Sequence, residues 1–428
     1  MRRAGDVAVA KNGWLLVFLI LSFFSGRAVS QELPADELQL NLSGYFDSFD
    51  VNVTYPSIAL TGKVSETTSL TGRYLVDMIT AASIHGGGSV LRSGENETED
   101  DERGERDFDK LAKAGGPKQV DAITAASVGT GGVGGSGGRE GPSFDDVRHE
   151  FNLGVTQLLA GSQVMLNGIY STERDYTSST LAGKISRAFA LKNTVLELGF
   201  VHSWDHVFPV TKDWTRDKNV ITYSLNISQI LSQWALIQFL TSYMENNGYL
   251  ADAYQQVPVG PAENAVLYDP VHPQKRVRRA AGTNLKFRLN SSSSLETGYR
   301  YYWDSWDVIS HTISANFMTY LSQHVIFDLG WRHYLQSRAY FFKSEYLQPE
   351  PLMTVDVKLD DLYSDELQLG LTLRGGKGQD YLPFLTSEKV QYHLGLNIYH
   401  RHTQTGYWYN GEKNLLAANF NIGLRVQL

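Results

Sequence analysis

The sequence predicts an all-β fold, an antiparallel transmembrane β-barrel of about 14 to 16 strands with a long low-complexity loop near the N-terminus. Three observations carry this reading. From about Arg148 onward the chain alternates polar and apolar residues in segments of about ten to fourteen, the period of a strand with two unlike faces. The connections between these segments alternate between short and long, as they do in barrels with short periplasmic turns and longer external loops. The composition pairs 42% hydrophobic residues, 23 Tyr, 19 Phe and 8 Trp with a negative mean hydropathy. Only alternate residues of a barrel strand face lipid, so a membrane barrel is aromatic and polar at once.

In chain order, 1–30 reads as a bacterial export signal. Arg2, Arg3 and Lys11 precede the apolar run Trp14 to Phe24, and Ala28-Val29-Ser30 places cleavage before Gln31. That run is short for a membrane helix, and no later stretch is long and apolar enough for one. An N-terminal segment, 31–48, follows, and 49–428 is assigned to the barrel. Strands are expected over 49–60 and 67–81. A short strand over 38–46 would bring the count to about sixteen, whereas an N-terminal strand serving as a plug would leave about fourteen.

Over 84–145 the alternation gives way to the glycine clusters 86–88 and 131–138 and to an acidic run over 95–109. Such a composition cannot build a core, so the stretch is read as a loop or a plug. Beyond it, the clearest strand is the last. Leu416, Ala418, Phe420, Ile422, Leu424, Val426 and Leu428 share one face, and Asn419, Asn421, Gly423, Arg425 and Gln427 the other. Charged residues recur on the second face, which is therefore assigned to a lumen. Glu197, Lys286, Arg288, Glu296, Arg300, Asp328, Arg332 and Arg374 point inward by the same alternation. Short turns are expected near 160–163, 190–193, 232–233, 290–293 and 321–323, and longer loops near 208–217, 247–274, 338–363 and 404–413. The connection 375–388 is long for the periplasmic side.

Function is less legible. The chain has no cysteine and a formal net charge of -8, which excludes disulfides and thiolate chemistry and argues against nucleic-acid binding. The octapeptide Val76–Ser83 returns as Val120–Ser127 with one substitution. Asp77 and Asp121 are read as equivalent lumen carboxylates paired to arginines rather than as catalytic groups. Arg276, Arg278 and Arg279, with Lys275 and His272, form a basic cluster just before a strand. It would either attract anions or lipid phosphates or neutralise the acidic loop. Aromatics flank single arginines in Tyr299-Arg300-Tyr301-Tyr302 and Trp331-Arg332-His333-Tyr334, and Ser203-Trp204-Asp205 resembles Ser305-Trp306-Asp307. These groups read as interfacial girdles, or as a platform gripping an anionic aromatic compound. No hydrolase elbow or zinc-helix motif appears, and no cofactor or metal is expected.

The repeated Val-Asp-x-Ile-Thr-Ala-Ala-Ser, His272-Pro273-x-x-Arg276-x-Arg278, Tyr299-Arg300-Tyr301-Tyr302-x-Asp304-Ser305-Trp306 with His311-Thr312, and Trp331-Arg332-x-Tyr334-x-Gln336 together resemble the bacterial family called domain of unknown function 3570. The resemblance runs from about Phe49 to the C-terminus and implies an outer-membrane barrel. It marks Asp304 with the arginines as a lumen or structural motif, and implies a periplasmic lipoprotein or thioredoxin-like redox partner. The insertion over 84–145 and the terminal Leu428, where an aromatic is usual, depart from the pattern. Outer-membrane lipid and the barrel-assembly machinery are the other expected partners. The expected role is a non-enzymatic channel, export component or docking scaffold of the outer membrane, with an open diffusion porin or a barrel-borne hydrolase as alternatives.

Overall fold

The computed structural model of the chain describes residues 32–49, 51–81, 146–379 and 381–428. Within them sixteen strands close into one antiparallel barrel. These are β1 (Glu37–Asp47), β2 (Val51–Lys63), β3 (Thr68–Ala81), β4 (Asp146–Leu159), β5 (Ser162–Thr172), β6 (Tyr176–Phe189), β7 (Thr194–Val207), β8 (Arg216–Ser232), β9 (Ala235–Gly248), β12 (Lys275–Arg288), β13 (Ser293–Asp304), β14 (Ile309–Tyr320), β15 (Val325–Gln336), β16 (Leu362–Arg374), β17 (Val390–Thr403) and β18 (Asn414–Gln427). Two three-residue strands, β10 (Val257–Val259) and β11 (Val266–Tyr268), pair with each other in the connection from β9 to β12.

Each barrel strand pairs with its sequence neighbours, and β18 returns to β1 with Glu37 opposite Gln427. Closure satisfies the backbone polar groups that an open edge would leave bare in hydrocarbon. This corrects the boundary drawn at residue 49. The barrel begins at Glu37, because without β1 the facing edges of β2 and β18 would lie unpaired in lipid. The count is therefore sixteen. The expected signal peptide, the stretch 84–145 and the second copy of the octapeptide, including Asp121, lie outside the described residues.

Side chains alternate as the sequence predicts. Leu40, Leu42, Phe46, Ile58, Leu60, Leu153, Leu166, Leu181, Phe239, Leu367, Leu396 and Ile422 are exposed on the outer face, where lipid covers them. Tyr170, Trp204, Tyr223, Tyr299, Trp331 and Tyr363 stand on the same face toward the ends that carry the long connections, at the depth where amphipathic rings are stable. The inner face is polar and ion-paired. Arg148 pairs with Asp77, Lys184 with Glu197 at 3.5 Å, Lys286 with Glu296 at 3.8 Å, and Arg425 with Glu37 at 3.3 Å.

One end carries the short turns: 64–67, 160–161, 190–193, 233–234, 289–292 and 321–324. The longer 375–389 lies at the same end, and it buries Leu385 while leaving Phe384 and Tyr381 exposed. The other end carries the short 173–175 and 305–308 as well as the longer 208–215, 249–274, 337–361 and 404–413. By the rule for such barrels the first end is periplasmic and the second external.

Candidate functional site: a capped external mouth

The long external connections fold onto the barrel rather than extend away from it. In 337–361, residues Met353 to Asp360 are buried without a break. Loops 249–274 and 337–361 meet through the isolated bridges Val259↔Tyr346 and Val271↔Met353. Between them lie two small apolar cores. In one, Trp306, Val308, Ala339, Phe341, Phe342 and Leu359 pack together. In the other, Val257, Val259, Tyr346, Met353 and Val355 pack with the edge of Trp408. The Tyr346 hydroxyl ties the second core to backbone, accepting from Thr354 N at 2.9 Å and lying 3.2 Å from the Phe341 carbonyl.

The cap leans on the inward face. Gln336, inward on β15, donates through Nε2 to the carbonyls of Lys358 at 2.8 Å and Asp360 at 2.9 Å. It also reaches the opposite wall. The Tyr254 hydroxyl accepts from Val210 N at 3.1 Å and donates to Asp175, while Lys212 pairs with Asp269 at 2.6 Å. Several apolar contacts and buried hydrogen bonds together make a connection of this length ordered.

Two turns of nearly the same sequence clamp the cap: Tyr45-x-Asp47-Ser48-Phe49 with Val51, and Tyr302-x-Asp304-Ser305-Trp306 with Val308. In each, the aspartate Oδ1 accepts the backbone N–H groups two and four residues on, at 2.8 and 3.1 Å in both cases. In each, the tyrosine donates to Oδ2, at 2.9 Å from Tyr45 and 2.6 Å from Tyr302. The carboxylate thus replaces the backbone acceptors that a tight turn lacks. The aromatic at the turn receives a loop ring, Trp306 against Phe341 at 5.0 Å and Phe49 against Tyr407 at 4.9 Å. The sequence reading paired the Trp306 turn with Ser203-Trp204-Asp205 and missed this closer repeat. Trp204 lies on the outer face of β7, whereas Trp306 is buried beneath the cap. Extending the comparison back to the tyrosine would have revealed the match.

The basic cluster lies within β12 rather than before it, and alternation splits it. Arg276 and Arg278 face the lumen, and Lys275 and Arg279 the outer face beside Glu245 and Tyr243. Arg276 is buried and makes a two-pronged pair with Asp304, 2.7 Å from Nε and 2.6 Å from Nη2, with its guanidinium 4.3 Å over Trp306. Its guanidinium is thus committed to a carboxylate inside the barrel wall rather than displayed toward lipid. Arg300 faces inward two positions below Tyr302, in the field of Arg332. Arg332 stands over Tyr334 at 5.6 Å and pairs with Glu366 at 3.9 Å. The motif residues Arg276, Arg278, Arg300, Asp304 and Arg332 thus share the external part of one wall, and Asp77 lies on another with Arg148. Arg401, which sequence reasoning passed over, joins the tier on β17 and donates to the Tyr407 hydroxyl at 2.5 Å.

Above this tier the cap buries its own ionisable groups. Burial pushes the Asp252 carboxyl up to about 6, against donation from the Tyr254 backbone and attraction to Lys358. Burial holds the His272 imidazole down to about 4. Its Nδ1 donates to the Leu250 carbonyl at 2.9 Å, and the ring packs against Trp306 and Phe341. These shifts oppose each other in their effect on stability. Asp252 binds its proton more tightly when folded, so its contribution is present below about pH 4 and is lost as pH rises through 6. His272 binds its proton less tightly, so its contribution is present above about pH 6.5 and is lost as pH falls through 4. Between pH 4 and 6 the two nearly cancel. The cap of Asp252→Asn is expected to loosen with acid over this window, and that of His272→Gln to tighten. Proteolysis of 337–361 as a function of pH checks this, and parallel profiles for both variants and the parent would contradict it.

Among the described residues, no group of three or more histidine, aspartate or glutamate side chains is arranged to hold a metal. His400 and His402 share the outer face of β17, and His402 bonds to Asn414 Oδ1 at 2.8 Å. The histidine–aspartate pairs His206–Asp217 and His333–Asp365 are also on that face, and neither ring is hydrogen-bonded to a serine.

The family described as Protein of unknown function (DUF3570) matches over residues 25–216 and 210–411. The chain belongs to that family. No curated protein matches it. Solved structures with a similar course are outer-membrane barrels of low sequence identity. The ferric enterobactin receptor PfeA of Pseudomonas aeruginosa, a mutant in complex with enterobactin, is 9% identical with a TM-score of 0.41, over 88% of this chain and 55% of that one. The chain thus spans little more than half of that receptor's length. OpdK of Pseudomonas aeruginosa, solved with vanillate, is 8% identical with a TM-score of 0.41, over 91% and 97%. A loop-deletion form of OmpT, an outer membrane protein of Vibrio cholerae, is 8% identical with a TM-score of 0.37, over 92% and 98%.

Proposed function

We propose that the protein is an outer-membrane channel whose external mouth is covered by its own loops, and that it has no enzymatic role. The observation that carries this is a polar, ion-paired inner face beneath a cap that rests on inward-facing side chains such as Gln336. Outer-membrane barrels of many roles have polar interiors, but a closed barrel of sixteen strands is also wide enough to leave an aqueous pathway for solutes. The cap argues against permanent free diffusion, because its two apolar cores keep loops 249–274 and 337–361 ordered across the mouth.

Single-channel conductance of the refolded protein in a planar bilayer tests the proposal, with heat-modifiable gel migration as the check on folding. Brief, small openings are the expected result. Large, steady openings would favour the open porin. A folded but silent barrel would count against a channel and favour docking of a periplasmic partner, for which 375–389 offers the exposed Phe384 and Tyr381.

A further inference from the structure

We propose that the outer wall between β14 and β17 binds a lipid of the external leaflet that carries two phosphate groups, one received by His311 and the other by His402. Outward histidines are confined to the external side of this barrel. On five strands such a ring is held through Nδ1 by a side chain of the adjacent strand: His149 by Tyr74 at 2.9 Å, His206 by Asp217 at 2.7 Å, His311 by Tyr299 at 2.8 Å, His333 by Asp365 at 2.9 Å and His402 by Asn414 at 2.8 Å. Among the described residues no outward histidine lies in the periplasmic half of a strand, and none hydrogen-bonds to Nε2 of these rings. An imidazole fixed in this way leaves Nε2 for whatever covers the wall, and at this depth that is the lipid headgroup layer.

Between β14 and β17 these rings border a groove of about 640 Å³, which Ser337 and Gln404 close toward the external loops. Its floor is one row across four strands, because the register sets His311 opposite Leu335, Leu335 opposite Tyr363 and Tyr363 opposite His402. Ile309, Leu335 and Tyr363 are exposed there and form an apolar bed for the body of an amphiphile. The two histidines stand at the ends of the row, three inter-strand spacings or about 14 Å apart, too far for one phosphate and suited to two. The Tyr299 hydroxyl donates to Nδ1 of His311, which leaves the ring proton on Nε2. Asn414 Oδ1 accepts from Nδ1 of His402, so Nε2 donates there once the ring is protonated. The carboxylate in the groove, Asp361, does not oppose an anion, because Arg338 neutralises it and donates to it from the backbone N at 3.0 Å and from Nε at 2.8 Å. A headgroup gripped at both ends gains its second contact without a second encounter, so a lipid with one phosphate is held less tightly.

The test is lipid retention by the refolded full chain in detergent, offered diphosphoryl and monophosphoryl lipid A in equal amounts. Native mass spectrometry reads the bound lipid, and heat-modifiable migration checks the fold. The parent is expected to retain the diphosphoryl form several-fold over the monophosphoryl form. His311→Phe and His402→Phe keep a ring and remove a donor. Each alone should abolish the preference, since the one remaining histidine serves either lipid equally. His206→Phe, on another part of the wall, should leave it intact. A parent without preference, a preference unmoved in both folded groove variants, or an equal loss in His206→Phe would overturn the proposal, and the first of these needs no variant. Displacement of the lipid by inorganic phosphate at the same concentration would place binding in the phosphates alone and reject a lipid groove.

Discussion

Asp304→Ala is expected to be the most damaging single substitution in the external half of the barrel, costing about 3–5 kcal/mol of stability and releasing the cap. The side chain is fully buried and accepts five hydrogen bonds: two from Arg276, one from the Tyr302 hydroxyl, and one each from the backbone N–H groups of Trp306 and Val308. Alanine removes the carboxylate that the buried Arg276 guanidinium grips through two nitrogens, and with it the acceptor that shapes the turn. Asp307 there holds a left-handed φ of 65°, a conformation that the remaining backbone would hold less well alone. Trp306 then loses its place over Arg276 and against Phe341. Asp304→Asn retains the turn acceptor and loses the charge, so a smaller loss is expected. Urea unfolding from lipid vesicles gives the stability, and protease cleavage within 337–361 gives the state of the cap. A variant as stable and as resistant as the parent would show that the pair contributes little.

Replacing residues 340–358 by a short glycine-serine link is expected to raise single-channel conductance several-fold while leaving the barrel folded. The excised stretch carries Phe341 and Phe342 of one cap core and Tyr346, Met353 and Val355 of the other. It takes no part in the ladders between β15 and β16 or between β16 and β17, so the wall keeps its backbone hydrogen bonds. Heat-modifiable migration should therefore be unchanged. Loop 249–274 retains its contacts to the opposite wall through Tyr254 and Lys212, which makes the expected opening large but incomplete. Unchanged conductance in a folded variant would mean that the obstruction lies deeper in the lumen.

The fold was legible in the sequence because a barrel strand makes one demand at every position, lipid on one side and polar lumen on the other. Leu416, Ala418, Phe420 and Ile422 face outward and Asn419 and Asn421 inward as their spacing requires, and the turns fall close to where the alternation breaks. Glu37–Asp47 was harder to assign as a strand, since its place depends on β18, which lies almost a full chain length away and closes against it.

What the sequence by itself determined was the class of architecture, the facing of residues in the clearly alternating strands and the lack of cysteine, all consequences of local pattern or composition. Tertiary structure alone decided the pairing of Arg276 with Asp304, the burial of Trp306 beneath Phe341 and the folding of 249–274 and 337–361 into a cap. Those loops follow no period. Their order comes from contacts between segments distant in sequence, such as Val259 with Tyr346 and Phe49 with Tyr407, and a contact of that kind leaves no regular trace along the chain.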